Sequence, residues 1–156
     1  MGYKLPVPSA LGTFVLEAEG EALTALYLPG QEPAPAPLGE SPLLLQAAEE
    51  LTDYLAGRRR TFGLPLAPGG TPFPRQVWEA LRAIPYGETR TYGQIAAALG
   101  RPKAVRAVGQ ANHRNPLPIF IPCHRVVGAG GALTGYAGGL ALKRALLALE
   151  GAALSR

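Results

Sequence analysis

Apolar and polar positions change their period several times along this chain, and each change marks an element. Residues 12–28 alternate as strands do around Glu19-Gly20-Glu21, which predicts strands over 12–21 and 22–28 with a glycine turn between them. Residues 31–42 are crowded with Pro and Ala and read as a loop. From Ser41 the period lengthens. Leu44, Leu45, Ala48, Leu51 and Leu55 recur at helical spacing, with Ser41 as cap, Pro42 in the first position and Gly57 as the stop. Residues 61–66 then read as a strand, and Arg58-Arg59-Arg60 before them as a solvated edge. Ala67-Pro68-Gly69-Gly70 has the composition of a linker, so a domain boundary is expected there, dividing 1–70 from 71–156.

Helical signals dominate the second half. A helix is expected from Thr71 or Pro72 to about Ala83, with Phe73, Val77, Trp78 and Leu81 on one face and Pro85-Tyr86-Gly87 as its stop. Thr91-Tyr92-Gly93-Gln94 has the form of a capping box, opening a helix that ends near Leu99 at Gly100. Pro102 stands where a first helical residue belongs, so the next helix is expected over 103–111. Two short helices across a tight turn form a helix-turn-helix, whose second helix enters a DNA groove in its usual docking. Here that helix presents small residues around Arg106. Such a face is too bare to read base edges, but it can approach a phosphate backbone closely and push Arg106 into the base stack.

After Asn115-Pro116-Leu117-Pro118 comes an apolar, strand-like stretch over 119–127. A turn at 128–131 and a glycine-rich loop over 133–139 follow, and the loop lacks the lysine a phosphate-cradling loop requires. The last helix, expected over 140–150, presents Leu142, Leu146 and Leu149. Glu150 falls in its final turn, where the helix dipole disfavours an anion, so a partner for Glu150 is expected.

Composition narrows the class. At 47% hydrophobic and 17% charged over 156 residues, the chain is globular, with one domain or two small ones. No apolar run approaches the ~20 residues that cross a bilayer, and residues 1–6 lack the apolar stretch of a signal peptide. A cytoplasmic protein with no membrane partner is expected. Charge is uneven: residues 1–70 hold four basic and eight acidic side chains, a balance of −4. Residues 71–156 hold eleven and three, a balance of +8, which suggests a polyanionic partner for that half.

Cys123 is the single cysteine, so there is no internal disulfide and no cysteine-rich zinc site, as suits a reducing compartment. It lies in Pro122-Cys123-His124-Arg125-Val126. A thiol attacks as thiolate and needs a base or a positive field beside it, which His124 and Arg125 can offer. On these residues alone, Cys123 reads either as an inert buried thiol or as a nucleophile.

Taken together, the motifs resemble the O6-alkylguanine-DNA alkyltransferases, also called methylated-DNA–protein-cysteine methyltransferases. The resemblance runs from about Phe73 to Gly151 and rests on Pro122-Cys123-His124-Arg125-Val126, Arg106-Ala107-Val108-Gly109, Asn115-Pro116, Tyr136 with Gly138-Gly139, and Glu150-Gly151. It implies an α+β fold: a small ribonuclease-H-like sheet-and-helix domain, then a mainly helical catalytic domain with a helix-turn-helix. It implies that Cys123 accepts the alkyl group from guanine O6, that His124 takes the thiol proton through a water, and that Glu150 orients His124. Asn115 would brace the turn at the active site. Tyr92, Val126, Tyr136 and Ala137 would line the base pocket: Tyr136 donates to the leaving guanine, the Ala137 N–H faces O6, and the Cys123 and Val126 carbonyls accept from the guanine amino group. Tyr92, Arg101, Lys103, Arg106, Ala107 and Gly109 would meet DNA, with Arg106 filling the gap left by the rotated base.

The implied partner is double-stranded DNA carrying O6-alkylguanine, met by a monomer without metal or cofactor. Three departures from the family pattern stand out. Ala137 replaces a common serine, Asn112 occupies a place that is apolar in some relatives, and the zinc-binding cysteines of some members' N-terminal domains are absent. Two rival readings remain on sequence: a non-catalytic binder of alkylated DNA, and a cysteine hydrolase built on Cys123 and His124.

Overall fold

Alternation in the first thirty residues yields three strands rather than two. In the computed structural model, which describes residues 2–152, β1 (Gly2–Ser9), β2 (Gly12–Glu19) and β3 (Ala22–Tyr27) form an antiparallel sheet in that order. The unexpected strand is β1. Pro6 and Pro8 hide its signature, and they are tolerated because β1 is an edge strand, where a missing N–H can face away from the ladder. Phe14, Leu16 and Ala18 alternate onto the buried face of β2. The helix α1 (Pro42–Leu55) covers that sheet through Leu44, Ala47, Leu51 and Tyr54, while Leu45 is exposed. Ser41 caps it as expected, its hydroxyl accepting from the Leu44 N–H at 3.2 Å.

Residues 61–66 do not form the expected strand. The segment touches the sheet at one parallel bridge, Leu23 with Leu66, where the Leu23 N–H donates to the Pro65 carbonyl and Ala67 donates back to Leu23. Pro65 lacks the N–H that a continued ladder needs, and the Gly63 N–H is turned to the Glu50 carboxylate at 3.3 Å. Within the arginine run, Arg58 pairs with Asp53 at 3.0 Å and Arg59 with Glu50 at 3.7 Å.

The chain divides into two compact units between Gly69 and Gly70. In the second unit, α2 (Pro72–Arg82) buries Val77, Trp78 and Leu81 and leaves Phe73 half-buried. A two-residue strand β4 (Arg90–Thr91) leads into α3 (Tyr92–Ala98), which opens with both bonds of the capping box, Thr91 to Gln94 and back. The next helix, α4 (Val105–His113), starts two residues later than expected and ends two later. Pro102 sits in a turn closed by the Ala104 N–H on the Arg101 carbonyl, so helical geometry begins only after Ala104. The indole N–H of Trp78 donates to the Ala111 carbonyl at 2.9 Å and ties α2 to the end of α4.

The stretch around Cys123 is not a strand. Ile119 has φ 74°, in the left-handed region that a β-branched residue avoids. The Ile121 N–H closes back on the Leu117 carbonyl, and residues 123–125 form a single 3-10 turn. Only Val126 and Val127 are extended; as β5 (Val126–Val127) they pair in parallel with β4, Arg90 opposite Val126 and Thr91 opposite Val127. That pairing sets the start of α3 beside the cysteine turn. The last helix, α5 (Leu140–Leu149), buries Leu142, Leu146 and Leu147, with Leu149 only half-buried. The fold is thus mixed α and β, and among the described residues no helix is long and apolar enough to cross a membrane.

Candidate active site

Cys123 is the first residue of the 3-10 turn and is buried. The turn is held from outside the segment by Asn115, whose amide donates to the Ile121 carbonyl at 2.8 Å while its oxygen accepts from the Leu117 N–H at 3.0 Å. One side chain thus fixes both ends of the loop that delivers the thiol. Burial pushes the Cys123 thiol up to about 11, opposed by hydrogen bonds from Asn115 and Tyr136 and by the charge of Lys143. At neutral pH the sulfur keeps its proton, so a nucleophilic reaction there needs a base.

The neighbouring imidazole is the group beside the thiol with a basic nitrogen. His124 is fully buried, and its Nε2 lies 2.7 Å from Glu150 Oε2. Glu150 also receives Arg125 through both oxygens, Nε to Oε1 at 2.8 Å and an Nη to Oε2 at 2.9 Å, and the Gly87 N–H at 3.3 Å. A carboxylate forked by a guanidinium is an acceptor, so His124 carries its hydrogen on Nε2 and Nδ1 is the basic nitrogen. Burial, more than Glu150 can offset, lowers the His124 pKa, and Arg125 and Lys143 lower it further. The ring is therefore neutral at physiological pH and able to take a proton. Arg125 is itself pinned, donating to the Ile84 carbonyl at 2.8 Å and lying over the Tyr86 ring. Glu150 thus finds the partners that its place at the end of α5 demands.

A second buried cation acts on the thiol. Lys143 of α5 is 0% exposed, and its ammonium donates to the Val126 carbonyl at 2.6 Å and the Thr134 carbonyl at 3.1 Å. Burial lowers its pKa to about 8, and the Cys123 charge acts against that fall. The sequence reading missed Lys143. Its signal was a lysine inside the apolar stripe of Leu142, Leu146 and Leu147, where a solvated charge has no place. The reading also took Arg125 as a possible activator of the thiol, whereas its guanidinium faces Glu150.

The remaining expected positions fall into two groups. Tyr92, at the start of α3, lies against Gly109 of α4, and its hydroxyl shares a hydrogen bond with the Thr134 hydroxyl at 3.1 Å. Tyr136 is buried and bonded toward the thiol, while Ala137 is exposed in the same loop. Outside, Tyr92, Val105, Arg106, Gly109, Gln110, His113 and Arg114 line an open groove of about 550 Å³ along α4. Arg106 and Lys103 are exposed, Ala107 is half-buried, and the Arg101 guanidinium lies over the Phe73 ring at 5.4 Å. Among the described residues there is no cluster of His, Cys, Asp or Glu able to hold a metal ion.

Residues 72–152 match the family model described as 6-O-methylguanine DNA methyltransferase, DNA binding domain. The chain is 50% identical to the constitutive methylated-DNA–protein-cysteine methyltransferase of Bacillus subtilis, over 88% of each chain. It is 48% identical to the methylated-DNA–protein-cysteine methyltransferase of Methanosarcina acetivorans, over 92% of this chain and 94% of that one. Among solved structures, the Mycobacterium tuberculosis OGT in complex with DNA superposes with a TM-score of 0.90 at 44% identity, covering 96% of this chain and 92% of that one. The chain belongs to the methylated-DNA–protein-cysteine methyltransferase family.

Proposed function

We propose that this protein repairs double-stranded DNA by moving the alkyl group of O6-alkylguanine onto Cys123, once per chain. The observation that carries the reading is a buried thiol in the same 3-10 turn as a buried, neutral imidazole whose tautomer Glu150 fixes. The thiol proton passes through a water to His124. The sulfur then forms a bond to the alkyl carbon, the carbon–O6 bond breaks with its electron pair going to O6, and a proton returns to the freed guanine. Tyr136 donates to the leaving base and the Ala137 N–H faces O6. Lys143 lends its positive charge to the developing thiolate, and Asn115 holds the turn.

A base within the stack cannot reach a buried sulfur, so the lesion is rotated out. In this reading α3 and α4 act as a helix-turn-helix, the groove along α4 receives DNA, and Arg106 fills the space the base leaves. Tyr92, Arg101, Lys103, Ala107 and Gly109 meet the backbone and the pocket rim. The first unit is a ribonuclease-H-like support, and the protein works as a cytoplasmic monomer without metal or cofactor. The test is peptide mapping of the protein after exposure to duplex DNA with O6-methylguanine, beside Cys123→Ala. A methyl thioether at Cys123 is expected in the parent only, with lesion binding kept in the variant. Binding without a thioether would make the protein a lesion binder, and turnover of a peptide or ester would favour a hydrolase.

A further inference from the structure

Thr134 stands where two sets of contacts meet. It is half-buried in the glycine-rich loop, two residues before Tyr136. Its hydroxyl shares a hydrogen bond with the Tyr92 hydroxyl at 3.1 Å, and Tyr92 opens α3 and lines the groove along α4 beside Arg106 and Gly109. Its carbonyl accepts from the Lys143 ammonium at 3.1 Å, and that ammonium also holds the Val126 carbonyl at 2.6 Å. Lys143 is the cation whose charge favours the Cys123 thiolate. The two branches of the Thr134 side chain have separate surroundings. A Cβ on Gly128 would lie 2.9 Å from the Thr134 methyl, so the methyl packs against bare Gly128 backbone while the hydroxyl reaches Tyr92.

We propose that Thr134 is a positioning residue for alkyl transfer: its hydroxyl fixes the Tyr92 phenol and its carbonyl fixes the Lys143 ammonium, so one residue holds the wall of the DNA groove in register with the charge that serves the thiol. The proposal rests on alkyl transfer to Cys123. Among the described residues Thr134 is the hydrogen-bond partner of the phenol, and this bond ties the loop to α3. Without the hydroxyl the loop loses that tie. The acceptor for Lys143 sits on the same residue, and Tyr136, bonded toward the thiol, lies two residues on. Both are then free to shift. A shift of this kind slows the reaction step rather than weakening the grip on DNA, because the cations along α4 are untouched.

The test compares Thr134→Val, which keeps the branched shape and deletes the hydroxyl, with Thr134→Ser, which keeps the hydroxyl and deletes the methyl. Single-turnover methyl transfer is followed against the concentration of O6-methylguanine duplex, well below each variant's Tm, to give a saturating rate and a half-saturating concentration. In Thr134→Val the saturating rate falls about fivefold, the scale of one hydrogen bond, while the half-saturating concentration stays the same. Thr134→Ser keeps most of the parent rate. In a Tyr92→Phe background Thr134→Val brings no further loss, because the bond is already gone. A parent rate in Thr134→Val, an equal loss in Thr134→Ser, or losses that multiply in the double variant would overturn the proposal. A change confined to the half-saturating concentration would overturn it too, and leave the pair as a DNA-binding contact. No thioether at Cys123 in the parent would instead overturn the transfer reading beneath it.

Discussion

Glu150→Gln changes one atom type and almost no volume, yet it strikes the most connected group in the site. The carboxylate accepts four donors: the Arg125 Nε and one Nη, His124 Nε2 and the Gly87 N–H. An amide offers one accepting end, so its NH2 must face two of those donors wherever it points. Arg125 then remains buried without a counter-charge. Breaking a buried pair from one side costs about 3–5 kcal/mol. At about 2–4 °C per kcal/mol for a chain of this size, Tm should fall by about 6–20 °C.

The chemistry should suffer separately from the stability. If the NH2 faces His124, the ring must present Nε2 as acceptor and move its hydrogen to Nδ1, which removes the base from the side that serves the thiol. Thermal unfolding gives the first effect. The single-turnover rate of methyl transfer, measured well below the variant's Tm, gives the second. A variant that melts within a degree of the parent and transfers at the parent rate would refute the reasoning and reduce Glu150 to a helix-end residue.

Three other perturbations probe separate parts of the account. Arg106→Ala should slow repair of duplex DNA while leaving reaction with free O6-alkylguanine base nearly unchanged, at about tenfold per 1.4 kcal/mol of lost unstacking assistance; equal loss on both substrates would place Arg106 in the fold instead. Because the Cys123 thiol is pushed up to about 11, its reaction with iodoacetamide should climb through pH 9–11, since only the thiolate reacts. Lys143 is charged only below about pH 8, so Lys143→Met should slow methyl transfer at pH 7 and leave the iodoacetamide rate above pH 9 nearly unchanged; an equal loss at both would confine Lys143 to holding the Val126 and Thr134 carbonyls. Arg125→Met removes a charge that lowers the His124 pKa, so the acid limb of the transfer rate should move to higher pH, and a limb moving to lower pH would contradict the assignment of His124 as base.

Elements whose logic is local were legible in the sequence. Ser41, Thr91 and Gln94 make their capping bonds because those bonds close within three residues of chain. What failed depended on partners far away. Residues 61–66 carry strand-forming side chains, but Gly63 is drawn to Glu50 and Pro65 cannot extend the ladder. The cysteine stretch reads as apolar strand, yet Asn115 and the positive φ of Ile119 fold it into a turn. Pro102 suits a helix start, but the turn from Arg101 to Ala104 delays it. At the site, Cys123, His124 and Glu150 stood out by type and position. Lys143 did not, because a lysine in a helix says nothing of burial until the stripe it shares with Leu142 and Leu146 is packed.

The central claim is an irreversible transfer to one sulfur, and intact mass measured at excess substrate tests it most directly. A thioether is not an acyl group that water removes, and no second thiol exists in the chain to accept the alkyl group by exchange. With a large excess of O6-methylguanine duplex, every chain should gain one methyl group, the amount of guanine restored should equal the amount of protein, and the reaction should then stop. A protein whose mass is unchanged, or one that restores many guanines per chain, would contradict it.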